Sequence, residues 1–301
     1  MLTIGSRGSQ LALWQARWVE SQLKRLGHAC RIQVIRTTGD KITSVPLAKV
    51  GVKGLFTKEI EEALLDGAID LAVHSLKDMP TELPAGLTLA AVPEREDPRD
   101  VLVGSTLARL PAGARVGTSS LRRSAQLLAL RPDLEVESVR GNLDTRLRKV
   151  REGQFAAIVL AAAGLRRLGW EDRISEALPP ETMCPAVGQG ALAIETRQDG
   201  GAGYQACVPL DHGPSRAAVT AERALLRALG GGCQVPIGAH ALVCDGRIRL
   251  RAVVVSPGGG TLLARSAEGA AGDAEALGAA LAEELLAGGA RQILAAVYGE
   301  R

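Results

Sequence analysis

A chain of 301 residues is longer than one ordinary hydrophobic core requires, so we expect two or three domains. Apolar residues make up 46% of the chain, charged residues 23%, and the net charge is +3, as in soluble globular proteins. We find no signal peptide and no apolar stretch long enough to span a membrane. This excludes an integral membrane protein and predicts a cytoplasmic location.

Cysteine and arginine contents narrow the possible classes further. The five cysteines are scattered, without Cys-x-x-Cys spacing and without nearby histidines, so we expect neither a disulfide framework nor a metal site. Arginines outnumber lysines by 29 to seven, and the planar guanidinium suits carboxylates and phosphates. Aromatic residues make up only 2%, which is too few for the base-stacking surfaces of proteins that bind single-stranded nucleic acid.

The first hundred residues predict an alternation of strands and helices. Residues 1–4 form the first predicted strand, and the helix after it stops at Gly27. The apolar stripe of that helix consists of Leu11, Trp14, Trp18 and Leu26. A second helix covers residues 60–64 and precedes a strand at residues 69–73. Alternation of this kind is typical of βαβ units with parallel sheets.

The same order of elements occurs again in residues 116–160. A Gly-Ser/Thr turn with an arginine precedes a helix at residues 4–15 and again at residues 116–129. A Lys-Gly or Arg-Gly turn, at Lys53 and at Arg140, then precedes the next helix and strand. The repetition predicts twin α/β domains.

Cationic and hydroxyl side chains collect on these turns. In open parallel sheets the turns at the strand ends line the ligand crevice, and helix N-termini present free N–H groups to anions. We therefore predict an acidic ligand between the two domains. The side chains on the turns are Arg7, Ser9, Lys53, Ser119, Ser120, Arg122, Arg123 and Arg140.

A third region begins near residue 213, where the composition changes. A helix over residues 217–229, a strand over 248–255 and a helix over 273–286 predict a small α+β domain. Between the first two lies Cys233, preceded by three glycines. Such a loop gives a thiol access to a cavity, although an unpaired cysteine is also often a buried packing residue.

A second group that could carry chemistry closes the strand before residue 80. His74, Lys77 and Asp78 lie together there, and a carboxylate beside cations can stabilise a developing positive charge. The alternative is an Asp-x-Pro turn in which the aspartate bonds to its own backbone. These residues alone leave both interpretations open.

The predicted fold class is α/β, with two such domains and a smaller α+β C-terminal domain. We expect the first domain to cover residues 1–92 and 189–208 and the second to cover residues 96–185. The third domain covers residues 213–301. Residues 93–98, with a proline at each end, form the predicted connector between the first two domains.

Eight motifs, in this order along nearly the whole chain, resemble one enzyme family. They lie at residues 7–12, 46–56, 73–80, 94–100, 117–123, 140–142, 185–190 and 231–238. Together they resemble the porphobilinogen deaminases, also called hydroxymethylbilane synthases. The resemblance implies two periplasmic-binding-protein-like domains and a third domain that carries a cofactor cysteine. It also implies a monomer with no nucleic-acid partner.

The resemblance further implies a transferase that joins four porphobilinogen units head to tail and releases ammonia at each step. Its product is the linear tetrapyrrole hydroxymethylbilane, and its cofactor is a dipyrromethane held by a thioether to Cys233. Each step passes through pyrrolic cations, so a fixed carboxylate is a useful catalyst, and Asp78 matches the family's catalytic aspartate. Every pyrrole carries an acetate and a propionate, which gives a physical reason for the arginine-rich turns.

Two sets of binding residues follow from the motif matches. The predicted cofactor-binding residues are Cys233, Lys77, Asp78, Ser120, Arg122, Arg123, Arg140 and Arg146. The predicted substrate-binding residues are Arg7, Ser9, Lys53, Arg167 and Gln189, of which Gln189 is expected near the hinge between the domains.

One departure from the family and two competing functions complete the analysis. Cys184 precedes Pro185 where we expect an apolar or hydroxyl residue, which predicts a second thiol near the cleft. A solute-binding protein would use the same domain pair but would leave Cys233 and Asp78 unexplained. A nucleic-acid binder would also use arginine turns, but the low net charge and few aromatic residues argue against it.

Overall fold

The structure is a computed structural model and describes residues 1–41, 56–231 and 235–299. The predicted site residues Lys53 and Cys233 lie outside these ranges. The chain divides into two compact units, each assembled from two segments. Unit 1 comprises Met1–Glu96 and Ala191–Arg216, and unit 2 comprises Asp97–Gly190 and Ala217–Arg301.

The described residues contain strands that belong to three sheets. In chain order the strands are β1 (Leu2–Ser6), β2 (Cys30–Val34), β3 (Leu71–Ser75), β4 (Leu87–Ala91), β5 (Asp100–Val103), β6 (Arg115–Gly117), β7 (Glu135–Glu137), β8 (Ala157–Ala161), β9 (Glu176–Leu178), β10 (Leu192–Arg197), β11 (Ile237–Cys244), β12 (Arg247–Val255) and β13 (Leu262–Ala270).

Helices connect and cover these strands. In chain order they are α1 (Gln10–Arg25), α2 (Thr38–Lys41), α3 (Lys58–Leu65), α4 (Leu121–Leu130), α5 (Leu143–Arg151), α6 (Ala162–Arg167), α7 (Ala202–Cys207), α8 (Gly213–Ala228), α9 (Ala274–Leu285) and α10 (Arg291–Gly299). A π-helical turn, Leu286–Ala290, joins the last two helices, of which the sequence predicted the first, over residues 273–286, but not α10. The kink falls at Gly289, whose φ of 107° interrupts the helix.

Unit 1 is built on a five-stranded sheet in the order β2-β1-β3-β10-β4. Strand β1 runs parallel to β2 and β3, whereas β10 runs antiparallel to both of its neighbours. The prediction of parallel sheets was therefore wrong for β10, because this strand comes late in the chain and enters the sheet from the opposite direction. The core has two faces, one against α1 and one against α3.

The first sheet of unit 2 has the order β7-β6-β8-β5-β9. It repeats the arrangement of unit 1, with three parallel strands followed by an antiparallel strand, here β5, and one further strand. The shared order is what the repeated sequence pattern predicted. It confirms the α/β class with two sheet-and-helix parts.

Helix α1 turns a different face to the core from the one that the sequence predicted. Ser9 caps the helix by accepting a hydrogen bond from the Ala12 N–H. The buried face consists of Gln15, Ala16, Val19 and Leu23, while Leu26 is 46% exposed. The predicted stripe failed because Leu26 follows the last helical residue and because a polar side chain, Gln15, occupies the core face.

The C-terminal part of unit 2 is a smaller α+β structure, as predicted. Strands β11, β12 and β13 form an antiparallel sheet whose apolar face packs against α8 and α9. The turn after β12 packs closely against α4. A Cβ atom on Gly259 would lie only 2.4 Å from the Ala129 nitrogen, so this position has room only for glycine. Among the described residues no helix is long and apolar enough to cross a membrane.

Candidate functional site

The predicted catalytic carboxylate lies on a single 3-10 turn, Leu76–Asp78, at the end of β3. Leu76 is buried, and its N–H donates to the Ala191 carbonyl oxygen at 3.0 Å. Asp78 is exposed and Lys77 is half-buried. The turn therefore has a buried anchor and presents its two charged residues at the surface of unit 1.

The start of helix α1 supplies the other predicted residues of unit 1. Arg7 lies over the ring of Phe56, with 4.1 Å from the guanidinium carbon to the ring centroid. The Ser9 hydroxyl is used as the helix cap. Six residues after Ser9, the Gln15 amide donates to the Ser75 hydroxyl at 2.9 Å, which ties the helix to the end of β3. Phe56 and Gln15 were not singled out from the sequence.

In unit 2 the predicted arginines converge on a buried carboxylate. Asp100, at the start of β5, is fully buried. It accepts a hydrogen bond from Arg122 at 2.6 Å, one from Arg123 at 2.9 Å and one from the Gln189 amide at 2.9 Å. Burial alone would raise the pKa of Asp100, but the two guanidiniums outweigh it and hold this pKa well below its usual range.

Arg122 also fixes the segment that contains Cys184. Its guanidinium donates to the Cys184 carbonyl oxygen at 2.6 Å, and the Gln126 amide bonds both to that oxygen and to the Cys184 N–H. The Cys184 thiol is 1% exposed, and burial raises its pKa to about 12. The predicted second thiol is therefore a packed side chain in the described structure, and a thiol with that pKa is a poor nucleophile.

Arg123, which bonds to Asp100, also belongs to a cluster of guanidiniums with Arg140 and Arg146. Arg146 donates from Nε to the Gly141 carbonyl oxygen at 2.8 Å. Burial, together with the positive charges of Arg123 and Arg140, lowers the pKa of Arg146 to about 10. A half-buried cation with like charges nearby is in an environment that a bound anion would relieve. The carboxylates of a dipyrromethane fit this cluster.

Serine hydroxyls define the turn at the start of α4. Ser120 is the N-cap residue, and its hydroxyl accepts from the Arg123 N–H at 3.5 Å. Ser119 instead donates to the Val139 carbonyl oxygen at 2.7 Å. Ser119 therefore anchors the strand end that leads into Arg140.

The loop of residues 188–190 is held by side chains from several elements of unit 2. Gln189 is fully buried, and its amide donates to the Pro98 carbonyl oxygen at 2.7 Å. Arg167 is buried and donates to the Gly190 carbonyl oxygen at 2.6 Å. Glu222 accepts the Gly188 N–H at 2.7 Å and was not identified from the sequence.

The predicted site residues thus divide between the two units. Unit 1 holds Arg7, Ser9, Lys77 and Asp78, and unit 2 holds Ser120, Arg122, Arg123, Arg140, Arg146, Arg167 and Gln189. Asp100 and Gln126 were missed, although an acidic residue opening a strand near paired arginines was a signal for Asp100. The fold and these side chains define a class of protein with two α/β sheets and a cationic cluster suited to a small polycarboxylate.

Comparisons with known proteins identify the family within that class. Residues 2–202 match the model described as "Porphobilinogen deaminase, dipyromethane cofactor binding domain", and residues 216–287 match "Porphobilinogen deaminase, C-terminal domain". The chain belongs to the porphobilinogen deaminase family, as its motifs predicted. It is therefore an enzyme of tetrapyrrole biosynthesis with a dipyrromethane cofactor.

Relatives named porphobilinogen deaminase match along almost their whole length. The protein of Syntrophobacter fumaroxidans is 52% identical, over 99% of this chain and 98% of its own. That of Syntrophotalea carbinolica is 54% identical, over 98% and 96% respectively. Among solved structures, a periplasmic substrate-binding protein of an ABC transporter from Coxiella burnetii is similar, with a TM-score of 0.45 and 14% identity over 74% of this chain and 97% of that chain.

Proposed function

We propose that the chain is a hydroxymethylbilane synthase, a transferase of the class EC 2.5.1, with the residues described above in specific roles. It joins four porphobilinogen units into a linear tetrapyrrole. Each step forms one carbon–carbon bond, breaks the bond to the substrate's amino group and releases ammonia and a proton. The observation that carries the proposal is the cluster formed by the buried Arg123 and the half-buried Arg140 and Arg146, supported by membership of the family.

The arginines of unit 2 bind cofactor carboxylates. Arg146 and Arg140 supply charge, and Ser120 caps the N-terminus of α4, whose dipole favours a bound anion. Asp100 holds Arg122 and Arg123 in place, which fixes their remaining N–H groups before the ligand arrives. Preorganised donors of this kind need no rearrangement when the anion binds.

Asp78 is the catalytic carboxylate, and Lys77 binds cofactor beside it. A carboxylate on a turn with a buried anchor stabilises positive charge that develops on a pyrrole nitrogen during each step. Arg7, Ser9, Lys53 and Arg167 bind the carboxylates of substrate and of the growing chain. Gln189, with both ends of its amide bonded, orients Asp100 and Arg123.

Cys233 is the attachment point of the cofactor. When bound, the dipyrromethane supplies the electron-rich pyrrole carbon to which the first substrate unit is joined. We further propose three domains with the boundaries predicted above, a monomeric state, a cytoplasmic location and no nucleic-acid partner.

The test is to incubate the purified protein with porphobilinogen and to measure ammonia and tetrapyrrole together. Hydroxymethylbilane closes spontaneously to a uroporphyrinogen, which oxidation converts into a fluorescent porphyrin. We expect four ammonia molecules for each porphyrin. A protein that binds porphobilinogen without releasing ammonia would instead be a binding protein, and the proposed function would be wrong.

A further inference from the structure

A buried acid–base pair lies on the strand that leads into the Leu76–Asp78 turn, and none of the roles above uses it. His74 is on β3 and Glu195 is on β10, with 3.1 Å between His74 Nε2 and Glu195 Oε2. Their side chains are 4% and 0% exposed. Because a carboxylate oxygen only accepts, Nε2 carries the proton in this bond.

The strand register places the two residues diagonally across the sheet. His74 is opposite Ala193, and Glu195 is opposite Ala72. A second acid, Glu61 of helix α3, is also buried close by, and burial raises its pKa while the Glu195 charge raises it further. The same burial that perturbs Glu61 also surrounds the pair, so water does little to screen it.

A pair of this kind contributes little to folding stability. Taking a carboxylate and an imidazole out of water is costly, and the hydrogen bond between them often does no more than offset that cost. Among the described residues, the second oxygen of Glu195 has no hydrogen-bond partner, which adds to the cost. A directional bond that is costly and lies two residues before the Leu76–Asp78 turn is better explained by the geometry that it fixes.

The turn itself depends on contacts from outside. Its N-cap residue, Ser75, makes no side-chain cap bond to the turn. The end of β3 is instead held by Gln15 at Ser75, by the Ala191 carbonyl at Leu76 and by Glu195 at His74. Of these three ties, only the last joins two side chains that are both buried and ionisable.

We propose that His74 and Glu195 are positioning residues for the reaction. Their hydrogen bond fixes the rotation of the last residues of β3 and thereby the placement of Lys77 and Asp78. The inference rests on the proposed catalytic role of Asp78. It assigns the pair no contact with substrate or cofactor.

The experiment separates positioning from stability by removing the pair in two ways. His74→Leu and Glu195→Leu each leave one buried polar partner, so both should lower the melting temperature. The double variant replaces both partners by apolar side chains of similar size and should regain it. We nevertheless expect its kcat to stay roughly 10- to 100-fold below that of the parent, because small misplacements near the chemistry have effects of that size.

The double variant should keep its cofactor, because the proposed attachment is at Cys233, and its KM for porphobilinogen should stay unchanged, because the proposed substrate-binding residues lie outside the turn. Glu195→Gln keeps an oxygen that accepts from His74 and should retain most of the parent kcat. Thr196→Val is the matched control: this neighbouring residue on β10 is also buried, and its hydroxyl bonds only to the Arg197 carbonyl among the described hydrogen bonds. It should leave kcat unchanged.

Parent-like kcat in the folded double variant would overturn the inference, as would an equal loss in Thr196→Val. If the double variant does not fold, Glu195→Leu and Glu195→Gln are compared at a temperature where both are folded, and equal kcat values overturn it. An Asp78→Asn variant, assayed in parallel, separates the two hypotheses. Normal turnover there contradicts the proposed function, whereas a slow Asp78→Asn with a fast double variant contradicts only the positioning role.

Discussion

The two units place opposite charges in opposite surroundings. In unit 1 the proposed catalytic charge is Asp78, exposed on a short turn, and the His74–Glu195 pair that we propose positions it is buried on the strands behind. In unit 2 the guanidiniums of Arg122 and Arg123 are themselves buried and are held by Asp100. A carboxylate that stabilises a transient cation must be accessible to the substrate. Guanidiniums that bind permanent carboxylates gain from burial, because hydrogen bonds are stronger where water is excluded.

The largest expected effect comes from preventing attachment of the cofactor to Cys233, because no pyrrole can be added without it. Cys233→Ser should give folded protein with no dipyrromethane mass and no turnover, since the thioether needs a thiol. Intact-mass spectrometry checks this. Cys244→Ser, which changes an exposed thiol, is the control and should load normally. A cofactor mass retained on the Cys233→Ser protein would contradict the assignment.

The next prediction tests the exposed charge of unit 1. Asp78→Asn keeps the shape of the turn but loses the charge, so we expect turnover to fall on the order of 10²–10³-fold with the cofactor still attached. Single-turnover measurements of ammonia release check it. If Asp78→Asn turns over at the parent rate, the aspartate only shapes the turn and the contrast between the units disappears.

The buried charge of unit 2 should matter for stability as well. Asp100→Asn leaves two buried guanidiniums without their carboxylate, so we expect a loss of about 3–5 kcal/mol in the free energy of unfolding at pH 7. We also expect little bound cofactor, because Arg122 and Arg123 are no longer held. Urea unfolding and intact mass measure the two effects.

The pH dependence of this loss follows from the lowered pKa of Asp100. A carboxyl group whose pKa is lower in the folded protein than in the unfolded chain stabilises the fold fully above its pKa in the unfolded chain, near 4. That stability is lost as the pH falls toward its pKa in the folded protein. The gap between parent and Asp100→Asn should therefore narrow only below about pH 4. Asp133→Asn, which removes an exposed partner of Arg131, should show no comparable gap.

Replacing the arginines that we propose bind incoming porphobilinogen should have a smaller effect, on chain elongation rather than on cofactor attachment. Arg7→Leu and Arg167→Leu should load cofactor but accumulate enzyme with fewer added pyrroles than the full set. One charge-assisted bond is worth about 1.5–3 kcal/mol, so each loss should slow elongation without abolishing it. Mass spectra after mixing with porphobilinogen show the distribution. Parent-like elongation in both variants would remove these residues from the substrate site.

The smallest effect is a gain in stability. Burial and neighbouring positive charges lower the pKa of Arg146, so its charged form opposes folding at pH 7. In protein without cofactor, Arg146→Gln on a Cys233→Ser background should raise the melting temperature by roughly 2–4 °C. Arg148→Gln on the same helix, which loses an exposed pairing with Glu152, should not. A lower melting temperature for Arg146→Gln would mean that the cluster is already neutralised.

Local sequence patterns predicted the elements of the fold better than their directions. The repeated turns predicted both α/β parts because glycine and hydroxyl residues favour turns, such as those at the ends of strands. They could not reveal that β5 and β10 run antiparallel, since direction depends on where the chain has been before it enters the sheet. The face of α1 was also missed, because the buried Gln15 is polar and only its bond to Ser75 explains it.

The candidate site was predictable where a residue's own type suggests a ligand. Arginines on turns were found in this way, and the family resemblance supplied Asp78 and Cys233. Glu222 was not found, because a carboxylate that bonds to backbone N–H groups within the protein cannot be distinguished from a surface acid until the fold that buries it is known. Ser9 was found from its motif, and its hydroxyl also caps helix α1, which the sequence analysis did not predict.

The place of β10 in the sheet of unit 1 has a consequence for the order of synthesis. This strand lies between β3 and β4, yet it follows β4 in the chain by about a hundred residues. On the ribosome, the sheet that begins the chain must wait with two unpaired strand edges, while the sheet built from β5 to β9 can close first. The N-terminal half is thus finished second, and the strand that completes it also brings Glu195 to His74.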